Sequence, residues 1–206
     1  MPDALLLDWE GCIVDTAVMR RDALQRALQE EGLALNAAST PDPVVADLIA
    51  ARASRAFAER LGKGFLLVDG ARALLEAAQL TSRIAIVTRA TRSETEFVLR
   101  LAELDGVVST IVSADDDVHA PPSPAPFLAA LAQLAKRRET RPGQSIAVAT
   151  SADVLRSARS ATLRTVALAA PAHIALEADG AVDSLGGLTL AGLARIAGIQ
   201  TAEHSA

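Results

Sequence analysis

The chain has 206 residues, half of them hydrophobic and 22% charged, with a formal net charge of -5 and a pI near 5.2. That length sustains a buried core, enough for one α/β domain with a small insertion, and the apolar fraction excludes a disordered chain. The acidic balance excludes the electrostatic footprint of a nucleic-acid binder.

Aromatic residues make up 2% of the chain, so the core must rest on Leu, Val, Ile and close Ala contacts. A single cysteine, Cys12, excludes an intramolecular disulfide and a cysteine-rich metal centre. The basic cluster Lys136-Arg137-Arg138 reads as the solvated end of a helix, where the dipole favours cations. Near the N-terminus the apolar run 4–7 is too short for a signal peptide or a membrane span. A cytoplasmic protein that engages no membrane is therefore expected, and no pattern specifies an oligomeric state.

Residues 4–7 (Ala4-Leu5-Leu6-Leu7) form the first expected strand, apolar on both faces as buried parallel strands are. From 16 to 66 the pattern turns helical, at 18–31, 43–53 and 55–61, with a loop over 32–43 that holds Asn36, Ser39 and Thr40. Near Asp69 a different rhythm begins. Strands at 83–88, 109–113, 145–149 and 164–168 alternate with helices at 91–103, 124–137 and 152–160, and a closing helix follows at 188–196. Such alternation implies right-handed crossovers and a Rossmann-like parallel sheet, with strand 4–7 central.

In a doubly wound sheet the chemistry collects at the carboxyl ends of the strands. Four segments sit there: Asp8-Trp9-Glu10-Gly11-Cys12-Ile13-Val14-Asp15-Thr16; Ile84 to Thr88 and Arg89; Pro121-Pro122-Ser123-Pro124-Ala125-Pro126; and Ile146 to Ala149, Thr150, Ser151, Ala152 and Asp153. Together they resemble the four motifs of the haloacid-dehalogenase-like (HAD) superfamily, in the phosphoglycolate-phosphatase and β-phosphoglucomutase branch. The resemblance extends over almost the whole chain. It implies a HAD-like α/β core at 1–15 and 67–206, with an inserted helical cap at 16–66.

The resemblance also implies roles. Asp8 would be the nucleophile that forms an aspartyl-phosphate, and Glu10 would stand where the family has its general acid and base. Glu10 adds a methylene to the family's Asp, about 1.5 Å of reach. Gly11 and Thr88 would meet the substrate phosphate, and a helix opening at 91–94 would offer it backbone N–H groups; Arg89, beside Thr88, is a further candidate for reaching it. The third motif keeps Pro122-Ser123-Pro124 but has Pro121 where the family has Lys. His119 is the nearest candidate cation by sequence, and the chain's lysines are Lys63 and Lys136. The fourth motif puts Ala149 and Thr150 on the family's acidic positions. Mg²⁺, the cofactor implied by the family, would then be left with Asp8, the backbone carbonyl of Glu10 and the Thr150 hydroxyl, helped by Asp153 or the run Asp115-Asp116-Asp117.

Two readings follow. One is a phosphomonoesterase acting through Asp8 on a small phosphorylated metabolite, weakened by the missing Lys and acids. The other is a degenerate member with a binding or regulatory role. Asp8-Trp9 also resembles the start of phosphonoacetaldehyde hydrolases, whose cap lysine Lys63 does not reproduce. Dehalogenation needs no metal, but nothing in 16–66 points to a haloacid. Arg20, Arg21, Arg52 and Arg55 read as surface residues of amphipathic helices.

Overall fold

The computed structural model describes residues 1–33, 42–136 and 138–200. The central part of the expected 32–43 loop, and Arg137 of the basic cluster, lie outside the described residues. Six strands form one sheet in the order β3-β2-β1-β4-β5-β6, and every adjacent pair is parallel. They are β1 (Ala4–Asp8), β2 (Arg83–Val87), β3 (Thr110–Val112), β4 (Ile146–Ala149), β5 (Arg164–Leu168) and β6 (Gly180–Val182). The expected Rossmann-like parallel sheet is present, with β1 between β2 and β4. The pairing runs from Ala4↔Arg83 to Asp8↔Val87 on one side and from Leu5↔Ile146 to Leu7↔Val148 on the other.

The helices are α1 (Ala17–Glu30), α2 (Pro43–Leu61), α3 (Ala71–Ala78), α4 (Arg92–Leu101), α5 (Ala125–Ala135), α6 (Ala152–Ser160), α7 (Ala172–Ala175) and α8 (Leu190–Ile196). The structure departs from the expected elements at α2, α3, α7 and β6. The helix expected to break between 53 and 55 runs through Ser54, because no Gly or Pro interrupts α2. β6 was not expected: it has three residues, none of them buried, and so carries no apolar run.

The chain divides into two compact units, Met1–Val14 with Leu67–Ala206, and Asp15–Leu66. In the first, strand side chains alternate between two faces. Ala4, Leu6, Ala85, Val87 and Ala147 meet Phe127, Leu131 and Leu134 of α5 and Ala158 of α6 in one apolar cluster. Leu5, Leu7, Ile84 and Ile86 are also fully enclosed, on the alternate positions. Each such Leu or Ile contributes about 1.5–3 kcal/mol by leaving water. The small residues Ala85, Ala147 and Ala158 let helix and sheet approach closely where bulkier side chains would hold them apart.

The second unit is a helical hairpin of α1 and α2. Asp42 caps α2 by accepting the Val44 N–H at 2.9 Å, with Pro43 in the first turn. Ala23 and Ala27 of α1 are buried, as are Ile49, Phe57 and Leu61 of α2. Arg20 lies 4.0 Å from the Phe57 ring centre, and Arg52 pairs with Glu31 at 2.7 Å and Glu30 at 3.2 Å. No described helix is long and apolar enough to cross a membrane.

Candidate active site

From β1 the chain moves outward through β2 and β3 on one side, and later through β4, β5 and β6 on the other. The crevice beyond the carboxyl ends of β1 and β4 is therefore the topological switch point, where open α/β sheets bind ligands. Asp8 is the last residue of β1 and stands in register with Val87. The neighbouring Trp9 and Glu10 backbone N–H groups and the Arg89 guanidinium favour its charged form, and the Glu10 carboxylate opposes it. Burial outweighs those favourable contacts. It pushes the Asp8 carboxyl up to about 7, so near neutral pH the group is divided between acid and carboxylate.

The turn after Asp8 is tightly wound. Ile13 and Val14 donate to the Trp9 carbonyl at 3.1 and 3.2 Å, and Gly11 donates to the Val14 carbonyl at 2.8 Å. Gly11 has φ = 76°, the left-handed region that glycine tolerates best, and a Cβ there would lie 2.8 Å from Cγ2 of Thr150. The first and fourth segments thus meet through Gly11 and Thr150. Cys12 adds a second tie by donating its thiol to the Val148 carbonyl at 3.5 Å. Burial, with Asp8 and Glu10 nearby, pushes that thiol well above its ordinary range, so it remains a neutral donor. The chain leaves and re-enters this unit side by side: Val14 bridges Leu67, and Val68 donates to the Ile13 carbonyl at 3.0 Å.

Thr88 and Arg89 follow β2 directly. The Thr88 amide donates to the Val112 carbonyl at 2.8 Å, and its hydroxyl accepts the Ala90 N–H at 2.9 Å, which fixes the turn that presents Arg89. The helix start beyond it differs from the expected anion seat. Thr91 and Glu94 form a reciprocal capping box, and the Arg92 N–H donates to the Asp115 carboxylate at 2.7 Å. Asp116 accepts from the Arg92 guanidinium at 2.9 Å and from the Ser113 N–H at 2.7 Å. Asp115 and Asp116 are therefore committed to closing α4 onto the β3 loop.

The remaining candidates are dispersed. Asp153 pairs with Arg156 at 2.5 Å in the first turn of α6 and is largely exposed. Arg156 also holds Glu177 at 3.1 Å. Ala149 is fully buried against Leu155 and Ala167, so its position faces apolar core. His119 is exposed and Pro121 is half-buried. Asp8, Glu10, Gly11, Thr88, Arg89 and Thr150 thus gather at the ends of β1, β2 and β4.

The model of one protein family matches residues 2–162, and its description is haloacid dehalogenase-like hydrolase. The chain belongs to that family. Solved structures carry the same fold. The CbbY protein of Rhodobacter sphaeroides, in a mutant bound to xylulose-(1,5)bisphosphate, is 23% identical, with a TM-score of 0.80 over 94% of this chain and 99% of that one. β-Phosphoglucomutase of Clostridium difficile is 15% identical, with a TM-score of 0.80 over 96% and 98% of the two chains. A predicted phosphoglycolate phosphatase of Haemophilus somnus 129PT is 18% identical, with a TM-score of 0.79 over 90% and 96%. Among curated protein sequences no significant match is found.

Haloacid dehalogenase-like hydrolases generally use Mg²⁺, so the donor set must be tested against that ion. Asp8 brings a carboxylate, Glu10 its backbone carbonyl and Thr150 a hydroxyl. Asp153 is held by Arg156, Asp115 and Asp116 are spent on α4, and Ala149 faces core. Among the described residues no group of three His, Cys, Asp or Glu side chains could hold a metal ion. The residues do not fit a protein-held Mg²⁺. Sequence reasoning missed the role of Cys12 and the capping role of Asp115. The Thr91-x-x-Glu94 box was readable locally, whereas Asp115 meets Arg92 across 23 positions and left no pattern to find.

Proposed function

We propose that the chain is a phosphomonoester hydrolase of low turnover, with Asp8 as nucleophile. The observation that carries this reading is the buried Asp8 carboxylate at the carboxyl end of the central strand, at the switch point. A strand-end carboxylate at the switch point stands where a ligand binds, and the tightly wound turn after it limits how far it can move. Asp8 Oδ would form the bond to phosphorus as the bond to the alcohol oxygen breaks, and that oxygen would take its proton from Glu10. Water would then attack the aspartyl-phosphate, giving its proton to Glu10 and returning Asp8 as carboxylate.

The substrate class that fits is a small phosphorylated metabolite. The similar structures include a β-phosphoglucomutase, a predicted phosphoglycolate phosphatase and a protein crystallised with a sugar bisphosphate. To 16–66 we assign the family's substrate-selecting cap. One observation favours the second reading, a binding protein without turnover: the apolar burial of Ala149, where the family resemblance expects an acid. A panel of small phosphomonoesters, assayed with wild type and Asp8→Asn, separates the two. Turnover lost in Asp8→Asn supports the hydrolase. Phosphate binding without turnover in a folded wild type supports the binding protein.

A further inference from the structure

We infer that Arg89 is the cation that receives the phosphate group, a role taken up on the β2 turn. The inference rests on the proposal that Asp8 faces a phosphomonoester. A dianion brought against the Asp8 and Glu10 carboxylates needs positive charge nearby, because electrostatic stabilisation does most of the work in phosphoryl transfer. The loop after β3, residues 113–124, contains no Lys or Arg. The other source of positive potential, the amide cluster that opens α4, is largely taken up. Glu94 accepts the Thr91 N–H at 3.2 Å, Asp115 accepts the Arg92 N–H at 2.7 Å, and Thr91 Oγ1 accepts the Glu94 N–H at 3.2 Å. Two of those three partners are carboxylates, so the helix start repels an anion more than it attracts one.

The remaining cations near these loops are also engaged. Arg92 is paired with Asp116 at 2.9 Å, and Arg156 with Asp153 at 2.5 Å and Glu177 at 3.1 Å. Among the described residues no ion pair engages Arg89. Its position is set by geometry. Val87 is the register partner of Asp8, so Arg89 lies two residues beyond it on the neighbouring strand's turn. That turn is fixed by the Thr88 bonds to Val112 and Ala90, and by the Ala114 N–H donating to the Ala90 carbonyl at 3.1 Å. The guanidinium is exposed, and its field reaches the Asp8 carboxylate. A planar donor fork so placed suits the oxygens of a phosphate.

The test is inorganic phosphate binding, followed by ³¹P line broadening and calorimetry at fixed ionic strength, on wild type, Arg89→Ala, Arg89→Lys and Arg100→Ala. Arg100, an exposed residue of α4 near Glu96, is the charge control. The expected result is a loss of roughly tenfold or more in affinity for Arg89→Ala, the range of one charge-assisted contact. Arg89→Lys should recover part of it, and Arg100→Ala should match wild type. Unchanged affinity in Arg89→Ala, or a wild type that binds no phosphate, overturns the inference. The nucleophile reading fails separately, through turnover that survives Asp8→Asn.

Discussion

Replacing Asp8 with Asn should stabilise the protein, and by an amount that depends on pH. The Asp8 carboxyl is raised from 3.8 to about 7 by burial, so the folded state holds its proton more tightly than the unfolded chain does. The stability this gives the protonated form is fully present below the unfolded value and is lost as pH rises through about 7. Three pH decades at about 1.4 kcal/mol each set a ceiling near 4 kcal/mol on the cost of the ionised carboxylate above pH 8. Asn keeps the size of Asp and an oxygen facing the Trp9 and Glu10 N–H groups, so little else changes. Asp8→Asn should therefore exceed wild type by about 2–4 kcal/mol at pH 8.5, and the gap should close towards pH 4. Urea unfolding at several pH values measures it directly, since the other titrating groups are common to both proteins. A gap that stays constant from pH 4 to 8.5 would refute the reasoning, as would a mutant less stable at the alkaline end.

Other changes bear on the same site. Gly11→Ala must place a methyl 2.8 Å from Thr150 Cγ2 at φ = 76°, and should cost about 1–3 kcal/mol in thermal or urea unfolding. Pairing it with Thr150→Ser, which removes that methyl, should recover part of the loss. Thr150→Asp alone should strengthen Mg²⁺ binding by calorimetry, because the new carboxylate joins Asp8 and Glu10. Ala149→Glu should instead destabilise the fold by several kcal/mol, since Ala149 faces Leu155 and Ala167. Stronger Mg²⁺ binding by Ala149→Glu, with stability intact, would mean that position 149 faces the crevice and not the core. Asp116→Ala should release Arg92 and lower stability by about 1–3 kcal/mol, with near-wild-type phosphate affinity.

The sheet was legible because its inner strands are apolar on both faces. Leu5 and Leu7 on one face and Ala4 and Leu6 on the other leave no other reading for β1. Short elements are absent from the expected set for different reasons. α3 does carry the helical period, with Ala71, Leu74, Leu75 and Ala78 on its buried face, and was overlooked, whereas β6, with three residues and none buried, has no periodic signal of its own. In the candidate site, the placement of Asp8, Gly11 and Thr88 was legible because each belongs to a local pattern at a strand end. The seating of Thr150 on Gly11 and the capture of the α4 amides by Asp115 join residues far apart in sequence. Such contacts come from the crossing of strands and leave no mark in any short window. The direction of Ala149 is of the same kind. Aligned as a string it falls on an acidic position, and only the pleat of β4 turns it into the core.

The central claim is that Asp8 carries a phosphoryl group. The direct measurement is mass spectrometry of acid-quenched protein after reaction with a small phosphomonoester or acetyl phosphate. The account predicts a phosphoryl increment on the peptide containing Asp8, absent from Asp8→Asn and reduced in Arg89→Ala. Turnover with no label at Asp8, or a label that persists in Asp8→Asn, would contradict it.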